Sequence, residues 1–114
     1  MPPRPIDPNT LAAARLFSDR TAGRFRLVGA LLFGSRARGD HRAQSDTDVA
    51  VLLSGAPGPF LETKLALADI AYDVLLETGV LIQPLPIWQS EWDCPESSAH
   101  PRLLENVKRD GMPL

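Results

Sequence analysis

The sequence predicts an α/β (α+β) domain: a small mixed or antiparallel sheet of about three to four strands, flanked by helices. Three observations carry that prediction. Two short apolar runs, Leu27–Phe33 and Val49–Leu53, are bounded by turn-prone residues and are long enough for buried strands. A 19-residue stretch, Phe60 to Thr78, has helical periodicity and lies between loop residues rich in glycine and proline and a terminal Gly79. A third apolar run, Val80 to Ile87, follows it directly.

With 114 residues, the chain is expected to form one domain with one modest core, residues 7–114, preceded by a proline-rich extended or disordered stretch, residues 1–6. Its formal net charge of -2 gives none of the basic field that marks a general nucleic-acid binder. Arg36, Arg38 and Arg42 are too few, and too poor in aromatic neighbours, to suggest one locally. A single cysteine, Cys94, excludes an internal disulfide and fits a reducing cytoplasm. No apolar run approaches the ~20 residues needed to cross a bilayer, so no membrane role is expected.

Asp7 can cap a first helix, placed at Pro8 to Thr21, in which Leu11, Ala14, Phe17 and Ser18 with Ala12 give a moderate helical stripe. The first strand, Arg26 to Phe33, is unbroken in its apolar character and is expected to be central. The second runs from Thr47 to Leu53 and closes at Ser54-Gly55-Ala56-Pro57-Gly58-Pro59. In the long helix, Leu61, Leu65, Ala68, Tyr72 and Leu75 form the expected inner stripe; Glu62, Asp69, Asp73 and Glu77 form the wet face. Pro84 and Pro86 place the third strand at a sheet edge or end it early. Trp88 to Ser98 reads as an irregular loop. A last helix, His100 to Arg109, turns Leu103, Leu104 and Val107 inward and stops at Gly111 and Pro113.

The chemistry lies between the first two strands. Gly34 and Ser35 offer close backbone approach, N–H donors and a hydroxyl to an anion, and Arg36 and Arg38 follow within four residues. Asp46 and Asp48 open the second strand and share a face, where two carboxylates repel unless a cation sits between them. Mg²⁺, which takes one or two protein carboxylates and completes its shell with water and phosphate oxygens, suits that pair. If both groups serve one metal–phosphate unit, the two strands are antiparallel neighbours. Arg36 and Arg38 suit a triphosphate or an acidic partner, and equally a structural ion pair. His41 and His100 have no metal-ligand companions at helical spacing. Trp88 and Trp92 are expected at the core edge or an interface.

Gly34-Ser35-Arg36-Ala37-Arg38-Gly39 together with Ser45-Asp46-Thr47-Asp48 resembles the signature of the DNA polymerase beta-like nucleotidyltransferase superfamily, and in particular its minimal nucleotidyltransferase (MNT) domains in prokaryotes. The resemblance implies that fold, a nucleoside triphosphate (expected to be ATP) held at Gly34, Ser35, Arg36 and Arg38, and two catalytic Mg²⁺ ions on Asp46 and Asp48. It also implies transfer of a nucleotidyl group to a hydroxyl. As partners it implies a helical HEPN-type protein of a toxin–antitoxin system, or else a homo-oligomer. A domain this small is expected to leave little room for a second small-substrate pocket, which favours an acceptor hydroxyl on a protein. The departure is on the third strand: where the superfamily carries a third carboxylate, this chain has Gln83, which cannot take a proton. Glu91 or Asp93 is the nearest acid that could stand in. The same substitution supports an alternative, a non-catalytic binding module or antitoxin acting by protein contact.

Overall fold

The computed structural model describes residues 8–33, 47–98 and 100–114. Asp7, Gly34, Ser35, Arg36, Arg38 and Asp46 lie outside these residues, so the expectations placed on them concern the sequence only. Helix α1 spans Pro8–Ala22, β1 Leu27–Phe33, β2 Thr47–Leu53, α2 Phe60–Thr78 and β3 Ile82–Trp88. A short helix α3, Gln89–Asp93, and a 3-10 turn, Pro95–Ser97, lead to α4, Pro101–Asp110, and a two-residue strand β4, Met112–Pro113.

The four strands form one mixed sheet in the order β3-β2-β1-β4. β1 runs antiparallel to β2, and a register shift between Leu27 and Gly29 leaves Val28 half out in solvent. β3 runs parallel to β2, as a strand returning through a crossover helix must. The prolines put β3 at the edge, as expected, but do not end it: pairing with β2 continues through Trp88. β4 was not foreseen. Gly111 does stop α4, but Met112 and Pro113 then pair antiparallel with Leu32 and Leu31 of β1. A Cβ at Gly111 would overlap the Val107 carbonyl oxygen, so only glycine lets the chain turn so tightly from α4 onto the sheet.

Each face of the sheet has its own core. On one face Ala30, Leu32, Val49, Val51, Ile82 and Trp88 pack against Ala13, Ala14 and Phe17 of α1 and Leu67, Ile70, Ala71 and Val74 of α2. On the other, Ala50 and Ile87 meet Leu104 and Val107 of α4, with Leu31, Phe33, Leu52, Leu85 and Trp92 at the margin. Strand β2 is more deeply buried than β1, whose alternate residues are only half covered. Among the described residues, that face is covered by α4, with Trp92 of α3 at its margin.

Two expectations are corrected here. The stripe Leu61, Leu65, Ala68 and Tyr72 does not face the core; all four are exposed, and Leu75 is half-buried. Thr63, Leu67, Ile70, Ala71 and Val74 face inward instead. Helix α2 carries two apolar stripes, so periodicity alone could not decide which would meet the sheet. The second correction concerns Trp88 to Ser98, which is ordered as strand end, helix and 3-10 turn. Glu91 accepts a hydrogen bond from the Trp88 backbone N–H at 3.3 Å, and Cys94 N–H donates to Ser90 O at 3.1 Å, closing the α3 turn. Gly79 ends α2 as expected, at φ 75°, with its N–H on the Leu75 carbonyl at 2.8 Å. Among the described residues, no helix is long and apolar enough to cross a membrane.

Candidate active site

The end of β1 lies beside the start of β2, as the metal–phosphate argument required. Phe33 is paired with Asp48. On the other side of β2, Asp48 is paired with Gln83 of β3. Asp48 therefore stands between two strands, with Phe33 on one flank and Gln83 on the other. Side chains alternate along a strand, so Asp48 shares the face of Ala50 and Leu52, and Gln83 that of Leu85 and Ile87. Both project on the α4 side. Asp48 is half-buried and Gln83 exposed.

A cleft of about 390 Å³ opens at this point, lined by Phe33, Asp48, Lys64, Gln83, Pro84, Leu85 and Leu103. Lys64 was not singled out from the sequence. It belongs to α2, in the opposite layer, and reaches the cleft past Pro84 at the sheet edge. No local pattern marks it, because its placement follows from the β2–α2–β3 crossover and not from its neighbours in sequence. Its ammonium sits 5.8 Å from the centroid of the Phe60 ring. It is the one basic side chain lining the cleft among the described residues.

Glu91 and Asp93 do not line the cleft. The Glu91 carboxylate is engaged at the Trp88 end of β3, five residues and about 16 Å of strand from Gln83. Neither stands beside Asp48; Gln83 is the residue paired with it across the strands. Little room for a second small-substrate pocket is expected from the size of the domain, yet a second cavity is present. A mainly apolar pocket of about 290 Å³ adjoins the cleft, sharing Leu85 and Leu103 and continuing toward Trp88, His100 and Glu91.

The donor set fits Mg²⁺. A half-buried carboxylate beside an exposed amide oxygen, at the mouth of a cleft with room for water and phosphate, offers the sparse protein ligation that this ion accepts. Asp46, two positions before Asp48 in the sequence, lies outside the described residues. The Lys64 ammonium can meet the negative charge of a phosphate.

A four-stranded mixed sheet with helices on both faces, and a cleft at Asp48 where β1, β2 and β3 meet, defines the class: an α/β domain with a candidate site at the start of its second strand. The family profile described as "Polymerase beta, Nucleotidyltransferase" matches residues 20–84, more than half of the chain, and the chain belongs to that nucleotidyltransferase family. Among solved structures, it is similar to a crystal structure from Sulfolobus solfataricus whose own assignment as a nucleotidyltransferase is provisional. The TM-score is 0.57 at 18% identity, covering 92% of this chain and 81% of that one. At that identity the likeness speaks for the fold. No curated protein matches the chain.

Proposed function

We propose that the chain is a Mg²⁺-dependent nucleotidyltransferase that moves a nucleoside monophosphate from a nucleoside triphosphate, ATP in the first instance, to a hydroxyl. The observation that carries this reading is the placement of Asp48 between Phe33 and Gln83 at the mouth of the cleft. Asp48, with Asp46, would hold the metal, which when bound supplies charge neutralisation of the triphosphate. Gly34 and Ser35 would offer N–H and hydroxyl donors to the phosphates, with Arg36, Arg38 and Lys64 as cations around them. Gln83 would orient the incoming hydroxyl by hydrogen bonding without removing its proton, so turnover would lack the 10²–10⁴-fold that a general base typically contributes. The hydroxyl's oxygen attacks the α-phosphorus, the bond to the β-phosphate breaks, pyrophosphate leaves and the hydroxyl proton passes to solvent.

The acceptor reading includes a hydroxyl on a helical HEPN-type partner, which would make the chain a cytoplasmic antitoxin. A second reading rests on one residue. Because the position facing Asp48 is an amide, a binding module that has kept the fold and lost turnover is also supported.

The test is label transfer. Each of the four α-³²P nucleoside triphosphates is incubated with Mg²⁺ and the protein, alone and co-purified with a HEPN-type partner. Pyrophosphate release with labelled acceptor, abolished by Asp48→Asn, supports the enzyme. Triphosphate binding with no release under any condition supports the binding module.

A further inference from the structure

Helix α2 is apolar on both sides, and only one side is used. Leu61, Leu65, Tyr72 and Leu76 are 67%, 59%, 59% and 67% exposed. At about 100° per residue, these four and the exposed Ala68 fall within an arc of about 80°, a stripe about 22 Å long. Single exposed leucines are ordinary; a continuous helical stripe of them marks an interaction surface. The stripe also has a socket. A groove of about 220 Å³ lies between α2 and the free edge of β3, bordered by Lys64, Ala68, Tyr72, Leu81 and Gln83. Leu81 on its far wall is itself 42% exposed.

The flanking charge identifies the occupant. Asp69, Glu62 and Asp73 occupy the next arc on one side of the stripe, all exposed, and Glu77 continues the row to where Arg20 of α1 pairs with it. The other flank carries Lys64. A second copy is a poor fit. A two-fold axis pairing this face with itself in antiparallel register sets the two acidic rows along the same side of the seam, like charge beside like; in parallel register Glu62, Asp69 and Asp73 of each copy would meet a flank whose one charged residue is Lys64. We infer that the outer face of α2 docks an amphipathic helix of a different protein, with an apolar stripe about four turns long, flanked by a row of Lys or Arg that meets Glu62, Asp69 and Asp73, and with one large side chain seated in the groove beside Tyr72 and Leu81. This is a helix-in-groove mode, read through anchors at three- and four-residue spacing.

The inference deepens the partner side of the proposed function but is scored without nucleotide or metal, so either can fail alone. The probe is a synthetic 18-residue helical peptide with leucines at that spacing and lysines along one flank. A control peptide carries glutamates in place of the lysines. Fluorescence anisotropy with the full chain is expected to show the lysine peptide binding at least tenfold more tightly than the control. The exposed-site variant Leu65→Glu/Tyr72→Glu is expected to lose that binding with an unchanged unfolding midpoint. The charge-reversed Asp69→Lys/Asp73→Lys is expected to prefer the glutamate peptide. Equal affinity for the two peptides, or no binding of either, overturns the proposal. So does a concentration-dependent dimer in sedimentation that Leu65→Glu dissolves, because the occupant is then a second copy.

Discussion

Replacing Gln83 with glutamate places a carboxylate directly opposite Asp48. The two positions are cross-strand partners on the same face, and neighbouring strands lie about 4.8 Å apart. Like charges about 5.5 Å apart repel by about 1 kcal/mol in a water-like medium and about 3 kcal/mol at an effective dielectric of 20. Gln83 is exposed, so the water-like figure governs. A cost of about 1 kcal/mol lowers the midpoint of a domain near this size by about 4 °C. Mg²⁺ bridging the two carboxylates reverses the sign. Thermal unfolding of wild type and Gln83→Glu, with and without millimolar Mg²⁺, is the assay. The variant should melt lower than wild type without metal and gain more from Mg²⁺ than wild type does. If the proposed chemistry holds, the added base should also raise the transfer rate, within the 10²–10⁴-fold span of general-base catalysis. A variant that melts like wild type and responds to Mg²⁺ no more strongly would refute the reasoning, because residues 48 and 83 would then not share a site.

The Thr47 hydroxyl is fully buried and has no hydrogen-bond partner among the described residues. Thr47→Val, which keeps the shape and removes the orphan, should stabilise by up to about 1 kcal/mol in chemical denaturation; destabilisation would mean that the hydroxyl has a use. Leu67→Ala should cost about 2–5 kcal/mol and Leu65→Ala under about 0.5 kcal/mol, since only the first faces the core. Reversal of that order would put the other face of α2 inward. Gly79→Ala forces a side chain into the left-handed region and should cost about 1–2 kcal/mol, read as a lowered midpoint with an unchanged denaturant slope.

Strand β2 was legible to the residue, and α2 likewise, because each is an apolar run bounded by polar or glycine–proline breaks that no neighbouring element blurs. The facing of α2 was not legible. Both stripes satisfy the 3.6-residue period, and the choice falls to the sheet, which takes the compact side with Ala71 and Val74 and leaves the longer leucines out. β4 escaped notice because two residues carry no period, and their pairing with β1 joins segments some 80 positions apart. In the site, the adjacency of the first two strands followed from supposing that the glycine–serine pair and the aspartates serve one metal–phosphate unit, and the place of Gln83 from the family resemblance. Lys64 could not be found, since it enters from the far layer around an edge that only the parallel pairing of β3 creates.

The central claim is that the Asp48 cleft is a metal-dependent triphosphate site. Isothermal titration of the protein with ATP, GTP, CTP and UTP, each with and without Mg²⁺, beside Asp46→Asn/Asp48→Asn, tests it most directly. The account predicts that at least one triphosphate binds only with Mg²⁺ and that the double variant loses it. Absence of binding by all four, or binding indifferent to metal and to both aspartates, would contradict it.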